Sequence, residues 1–457
     1  MKVIICGAGQ VGNSIARQLV LEDNDVTVID QSEELIEKIN NTLDVKAFVG
    51  FASHPTVLEE AGAANADMII SVTQSDEINM VSCQVAHSIF GISRKVARVR
   101  SQSYFSKDVE RLFSANNMPI DVIISPEIEV ANAILDRLHV PGAIETILFA
   151  DGKVKVISVK TSKESIINNL NVQDANKIIS HLKAKIIGFT KDDKLYPDTS
   201  DMLLCPDYEV YVVSEVEDLK ETMAIFGHEE SEARKIRIIG GGRIGLYLAQ
   251  KLEQEEDTRV KIIERNQKRA HVIADKLKMT PVINGDALEQ EILQEVNISS
   301  SDTVIAVSND DEVNILSALL AKKHGCSTSI VLVNSNSFAP LFSSLGIDII
   351  VNPREITVSS ILRYIRNLKV RNVHSICDSQ AEIIEIDAFE SSYSVGKKIA
   401  ELNLPEGIII CMIIRNEEVI VPRPDFEIVA KDRLIVMSKM EQVKKVEKLF
   451  SEKFKYF

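Results

Sequence analysis

Basic residues are in short supply. The 457-residue chain carries 52 Lys and Arg against 67 Asp and Glu, a net charge of −15. A chain of that sign repels a phosphate backbone unless it has a local basic patch, so nucleic acid is excluded as a default partner. Cysteine is scarce as well. Cys6, Cys83, Cys205, Cys326, Cys377 and Cys411 lie far apart with no C-x-x-C, which signals neither a zinc knuckle nor a redox pair. Scattered thiols in apolar runs read as small buried hydrophobes of a reducing compartment. No apolar run approaches the ~20 residues that span a bilayer; the longest, Ile408–Ile414, fits a buried strand. The chain passes from Met1-Lys2 straight into a strand and a glycine loop, and Asp23 and Asp25 follow, which is unlike a signal peptide. The expected location is the cytoplasm, with any membrane association made through a partner.

Catalytic signatures are missing too. There is no H-E-x-x-H, no G-x-S-x-G and no G-x-x-x-x-G-K-[ST]. His54, His87, His139, His181, His228, His271, His324 and His374 read as residues of helices, turns and linkers rather than as an acid–base set. The paired carboxylates Asp76-Glu77 and Asp311-Glu312 sit at polar helix starts, where the N-terminal dipole favours them, and read as caps. No metal site and no catalytic residue is expected.

What is present is repetition. KVIICGAGQVG (2–12) returns as KIRIIGGGRIG (235–245), ISVTQSDEINM (70–80) as IAVSNDDEVNI (305–315), and IDVIISPE (120–127) as IDIIVNPR (347–354). Three matches in the same order and at a nearly constant offset make the chain a tandem duplication. In each copy, short Val/Ile runs alternate with amphipathic stretches. In the first these are Val3–Cys6, Val26–Ile29, Ala47–Val49, Met68–Val72 and Val96–Val99. That alternation predicts a Rossmann-like doubly wound α/β domain with a parallel sheet. Each is followed by a smaller α+β module, with strands expected at Val154–Val159, Lys185–Phe189 and Val210–Val213, and at Glu382–Ile386, Ile408–Ile414 and Arg433–Val436. The predicted domains are 1–137, 138–226, 235–366 and 367–457, with a linker over 227–234.

Gly7-x-Gly9-x-x-Gly12 follows a strand and opens a helix, and Asp30 ends the next strand. This is a dinucleotide fingerprint in its proper context: a tight turn, close backbone approach to a pyrophosphate, close helix packing, and an acid for the ribose diol. A carboxylate at that position disfavours a 2′-phosphate. The second copy supplies Gly240, Gly242, Gly245 and Glu264. Thr73-Gln74 and Ser308-Asn309 follow the fourth strand at the edge where such sheets bind ligands. Gly50, and Gly285-Asp286 in the second copy, follow the third strand near an adenine pocket. Arg98 and Arg100 lie on one side of the fifth strand, placed to neutralise phosphate; the second copy has Leu332 and Asn334 there, but carries Arg243 in its glycine loop where the first has Gln10.

The phrases CGAGQVG, GFASHPTVLEEAGAANADMIISVTQSDEINM and VARVRS, with IGGGRIG, NGDA and SNDDEVN, resemble over the whole length the TrkA-type regulatory subunits of Trk potassium-uptake systems. In those, RCK (or KTN) lobes alternate with TrkA-C domains. The resemblance implies a peripheral subunit on the inner face of the membrane. It implies a homo-oligomeric ring, commonly a tetramer, under a dimeric TrkH- or TrkG-like potassium translocator. It also implies binding of NAD(H) and of ATP or ADP, which gates the pore. The family's ligand positions fall on Gly7, Ala8, Gly9, Gln10, Val11, Gly12, Asp30, Thr73, Gln74 and Arg98. In the second copy they fall on Gly240, Gly241, Gly242, Arg243, Ile244, Gly245 and Glu264. Phe51 departs from the acidic residue common at its position and present as Asp286 in the second copy. The competing readings are an NAD-dependent oxidoreductase, which needs a catalytic group over the cofactor, and a redox-sensing transcription factor, which needs a basic DNA-reading module.

Overall fold

The computed structural model describes the chain except residues 107–108, 115–116, 193, 198–201, 207, 230–232, 336–344, 366–369, 378–379 and 451–457. Part of the predicted linker, Glu230 to Glu232, therefore lies outside the described residues.

The first lobe alternates strand and helix: β1 (Lys2–Cys6), α1 (Gln10–Leu21), β2 (Asp25–Asp30), α2 (Glu33–Asn40), β3 (Lys46–Val49), α3 (Pro55–Glu60), β4 (Met68–Ser71), α4 (Asp76–Ser88), β5 (Arg94–Arg98), β6 (Val122–Ile124) and α5 (Pro126–Leu138). The strands pair in parallel in the order β3-β2-β1-β4-β5-β6. Because β1 is covered on both faces, its run of apolar residues does not alternate with polar ones. Val3 and Ile5 join one core with Ile15 and Leu19, while Ile4 and Cys6 join the other with Leu58 and Cys83. The strand order reverses between β1 and β4, which opens the crevice at the carboxyl edge where α/β sheets receive ligands.

The small module contains β7 (Ala143–Phe149), β8 (Val154–Lys160), α6 (Val172–Ile178), β9 (Ala184–Lys191), β10 (Lys194–Pro197), β11 (Glu209–Glu215) and α7 (Leu219–Ile225). Its antiparallel sheet runs β10-β9-β11-β8-β7.

The second lobe repeats the first with β12 (Lys235–Ile239), α8 (Arg243–Leu252), β13 (Arg259–Glu264), α9 (Gln267–Ala274), β14 (Val282–Asn284), α10 (Gln290–Glu295), β15 (Thr303–Ala306), α11 (Asp311–Lys323), β16 (Thr328–Leu332), β17 (Ile349–Val351) and α12 (Pro353–Ile365). Its order is β14-β13-β12-β15-β16-β17.

The last module has β18 (Val370–Ile376), β19 (Ala381–Asp387), β20 (Ile408–Arg415), β21 (Glu418–Ile420), β22 (Arg433–Lys439) and α13 (Val443–Phe450). Read from the far edge, its sheet is β21-β20-β22-β19-β18, the same succession as the first small module. The duplication thus extends through both parts of each copy. The two small sheets face each other across one shared core, in which Ile147, Phe149, Val156 and Val213 meet Ile383, Cys411, Ile435 and Met437.

Two features differ from the linear reading. The sequence assigns α12 to the second lobe. Its Ile361 and Leu362, with Val358 beside them, pack instead into the core of the first lobe with Ile15 and Leu19, and its Ser360 Oγ donates to Glu129 Oε2 at 3.1 Å. His374 is not in a helix, turn or linker; it lies within β18 and pairs with Glu145 at 3.3 Å.

Candidate nucleotide-binding sites

The glycine loop separates into two structural glycines and one that faces open space. Gly7 has φ +113°, and a Cβ there would sit 3.0 Å from the Val72 carbonyl oxygen. Its N–H donates to Ile29 O at 2.7 Å, which ties β1 to β2. A Cβ on Gly12 would lie 1.8 Å from the Gly7 carbonyl oxygen, so α1 can approach the strand only without a side chain there. At Gly9 a Cβ would meet nothing within 4 Å. The second loop repeats this: Gly240 has φ +104°, a Cβ on Gly245 would be 2.0 Å from Gly240 O, and the space at Gly242 is open.

The helices behind these loops are left uncapped. α1 starts at Gly9 and α8 at Gly242, with no side-chain cap and no acid in the first turn. Several other helices of the lobes carry side-chain caps: Ser32 Oγ accepts from Leu35 N on α2, Ser75 Oγ from Ile78 N on α4, and Asp310 Oδ1 from Val313 N on α11, whereas α3 and α10 do not. The positive end of the helix dipole at Gly9–Gln10–Val11, and at Gly242–Arg243–Ile244, with no side-chain cap in place, is the arrangement that accepts an anion.

The acids brace the loops. Asp30 Oδ2 accepts the Ala8 N–H at 2.7 Å and Oδ1 accepts Ser32 N–H at 2.9 Å. Glu264 does the same for Gly241 N–H at 2.8 Å and Asn266 N–H at 2.7 Å. Each oxygen keeps a second lone pair, which a ribose diol can use. A Cβ on Gly241 would lie 2.3 Å from Ile273 Cδ1 and 3.0 Å from Glu264 Oε2, whereas the first loop accommodates Ala8 beside the shorter Asp30.

At the end of β4, Thr73 and Gln74 reach the crevice, Thr73 half-buried and Gln74 exposed. Sequence reasoning missed the residue that holds this turn. Asn79 is fully buried; its Oδ1 accepts from Thr73 N and Oγ1 at 2.8 and 2.7 Å, and its Nδ2 donates to Arg98 O at 2.8 Å. Asn314 bridges Ser308 and Leu332 in the same way. The signal was available in the recurring DEIN and DEVN of the two copies. The carboxylates before these asparagines are not both caps. Ser75 and Asp310 are the caps, whereas Asp76 accepts Arg100 N–H and Ser101 N–H at 2.9 Å each, and Asp311 accepts Asn334 N–H at 3.0 Å. Each turns away from its own helix to fix the loop after the neighbouring strand.

Arg98 ends β5 and Arg100 lies just beyond it. Their Nε atoms are buried without a hydrogen-bond partner among the described residues. Burial pushes the Arg98 guanidinium down to about 10, and the charge of Arg100 pushes the same way against Glu127 and Asp76. Two mutually repelling guanidinium groups with spare donors fit a phosphate. The second lobe differs: Asn334 Nδ2 is committed to Asp311 at 3.0 Å, and the local cations are Arg243, exposed in the loop, and Arg269, whose Nε donates to Gly241 O at 2.7 Å. Sequence reasoning missed Arg269 as well. No cluster of three or more His, Cys, Asp or Glu side chains suited to a metal occurs among the described residues.

Comparison with known proteins follows the same outline. The TrkA-N domain model matches residues 3–126 and 236–353, and the TrkA-C domain model matches 383–451. The Trk system potassium uptake protein TrkA of Azorhizobium caulinodans is 42% identical over 459 residues, covering 100% of both chains. That of Haemophilus influenzae is 36% identical, covering 98% of each. Among solved structures, the GsuK RCK domain aligns with a TM-score of 0.61 at 18% identity, over 98% of this chain and 95% of that one. The GsuK channel bound to NAD aligns with a TM-score of 0.60, also at 18% identity, over 98% of this chain and 79% of that one. At such identity the likeness speaks for the fold.

Proposed function

The chain belongs to the TrkA family of potassium-uptake proteins, and from that premise we propose that it is the nucleotide-sensing regulatory subunit of a Trk-type potassium uptake system. The observation that carries the reading is the twice-built anion cradle, in which an uncapped helix start behind an open glycine stands beside a braced acid. Beside the first copy stand two half-buried arginines, Arg98 and Arg100, whose buried Nε atoms have no hydrogen-bond partner among the described residues. The ligands are NAD(H) and the adenine nucleotides ATP and ADP. In the first lobe the phosphates lie on Gly7, Ala8, Gly9, Gln10, Val11 and Gly12, the ribose diol on Asp30, and the outer phosphate charge on Arg98, with Thr73 and Gln74 along the crevice. In the second lobe the corresponding groups are Gly240, Gly241, Gly242, Arg243, Ile244, Gly245 and Glu264.

The switch follows from charge. Without ligand, Arg98 and Arg100 repel each other. An anion between them relieves that repulsion, and nucleotides differing in phosphate charge relieve it to different extents. A ligand moves a conformational equilibrium only by its differential affinity for the two states. Reversing a 1:99 population takes about 5.5 kcal/mol, which several coupled sites in a homo-oligomeric ring can supply together. The proposed assembly is a tetramer on the cytoplasmic face of the membrane, bound to a dimeric TrkH- or TrkG-like translocator, with no catalytic turnover. The proposed domain organisation along the sequence is two lobes, 1–137 and 235–366, each followed by a TrkA-C-like module, 138–226 and 367–457, with a linker over 227–234, and with α12 packed on the first lobe.

Calorimetric titration of the purified chain with NADH, NAD, ATP and ADP, with mass by light scattering on the same sample, tests this. The expected result is saturable binding to a multi-subunit particle without consumption of NADH. A monomer that binds none of the four, or that oxidises NADH with an added substrate, overturns it.

A further inference from the structure

The carboxyl edge of the first sheet sets out a nucleotide in order. Reading along β1, β2 and β3, the glycine loop follows β1, Asp30 ends β2, and Val49-Gly50-Phe51 leaves β3. Neighbouring strands are about 4.8 Å apart. A nucleotide with its phosphates on Gly9 and its ribose on Asp30 therefore carries its base towards the end of β3. Asp30 and Val49 are paired across the sheet, and Gly50 N–H donates to Asp30 O at 2.9 Å, which fixes the chain beside the ribose position. The next residue is Phe51.

Phe51 is 49% exposed, in the turn that joins β3 to α3. The His54 N–H donates to Phe51 O at 2.9 Å, and Pro55 starts α3 directly behind. The two rings lie 5.3 Å apart at 33°. Val49, also exposed at 54%, precedes them. The second lobe has nothing of the kind. Asp286 occupies the place of Phe51, its Oδ1 accepts Leu288 N–H at 3.0 Å, and its carboxylate pairs with Arg265 at 3.5 Å.

Building on the nucleotide reading above, we infer that Phe51, backed by His54, is the stacking platform for the adenine base, and that the first lobe alone reads the base through a ring face. An aromatic side chain beside a base contributes through its π face and is insensitive to the number of phosphates. The two lobes of one chain then differ in kind. The first recognises base, ribose and phosphate; the second recognises ribose and phosphate through Glu264, Arg243 and Arg269.

The test is titration of the full-length protein and its Phe51→Ala and Phe51→Tyr variants with ADP, ATP and NADH. Phe51→Ala is expected to weaken one class of site per chain by roughly 5- to 150-fold, by a similar factor for all three ligands, and Phe51→Tyr to retain wild-type affinity. Arg98→Ala, in contrast, should weaken the three ligands unequally. Unchanged affinity in Phe51→Ala while the wild type binds overturns this inference and leaves the nucleotide reading standing. A lower particle mass with unchanged affinity also overturns it, and assigns Phe51 to contact with a second copy. Failure of the wild type to bind any of the three overturns both.

Discussion

Three glycines in one motif carry different loads, and substitution separates them. Gly12→Ala places a Cβ 1.8 Å from the Gly7 carbonyl oxygen, a backbone atom that cannot swing aside. The expected cost is roughly 3 kcal/mol, read as a fall in the urea midpoint. Gly9→Ala meets nothing within 4 Å and sits at φ −63°, where alanine is at ease. Its stability should stay within about 0.5 kcal/mol of wild type while affinity for ADP falls, because the methyl group points into the space a phosphate needs. If both variants bind ADP normally, the loop is only a turn. The glycine motif and its acid were legible in the sequence because their chemistry is local. Asn79 was not. Its work is to join two segments, Thr73 and Arg98, that are adjacent only once β4 and β5 are paired.

Among the elements, the two copies solve one packing problem differently. Arg237 in β12 is 5% exposed; its Nε donates to Val296 O at 2.7 Å and its Nη1 to Ile236 O at 3.1 Å. The equivalent residue in β1 is Ile4, beside a cavity of about 160 Å³ lined by Asp25, Thr27, Ala61 and Asn65 among others. Arg237→Ala should therefore cost about 2–4 kcal/mol, by leaving a buried space and removing the donor to three carbonyl groups, those of Val296, Ile236 and Arg259. Calorimetric unfolding measures it, and a loss below about 0.5 kcal/mol would mean water replaces the guanidinium without penalty. Strand pairs of the small modules give a second prediction. Burial raises Glu145, but the hydrogen bond and charge of His374 and the charge of Arg137 outweigh it, leaving its carboxyl below the usual range. Glu209, on the same sheet, is raised by burial, with Glu145 adding to it against Ser158 and Lys160. The signs oppose. The stability from Glu145 is present above the ordinary glutamate value near 4.3 and is lost as pH falls through its lower folded value. Glu209 is penalised above that same ordinary value and relieved as its carboxyl protonates. Glu145→Gln should lower the urea midpoint at pH 7, and Glu209→Gln should raise it. Equal and parallel shifts in both variants would refute the assignment.

At the scale of the whole molecule, the duplication was legible and its consequence for packing was not. Periodicity reports which face of a segment is apolar, not which distant segment covers it. The short strands β6 and β17 are too brief to show a pattern, and the shared core of the small sheets joins segments that belong to different copies. α12 is the sharpest instance. Its sequence follows the second lobe, but Ile361, at 0% exposed, completes the core under α1 of the first. Ile361→Ala removes a fully buried branched side chain, at an expected cost of about 2–4 kcal/mol. The loss should appear where the packing is. Amide exchange should accelerate in β1 and α1, and binding of ADP at the proposed site beside Gly9 and Asp30 should weaken with it. Exchange that accelerates only between β12 and β17 would refute this, because it would mean that α12 stabilises the lobe it follows in sequence. The predicted pattern would instead make each chain's proposed first nucleotide site depend on a helix that follows the second lobe in sequence and packs into the first.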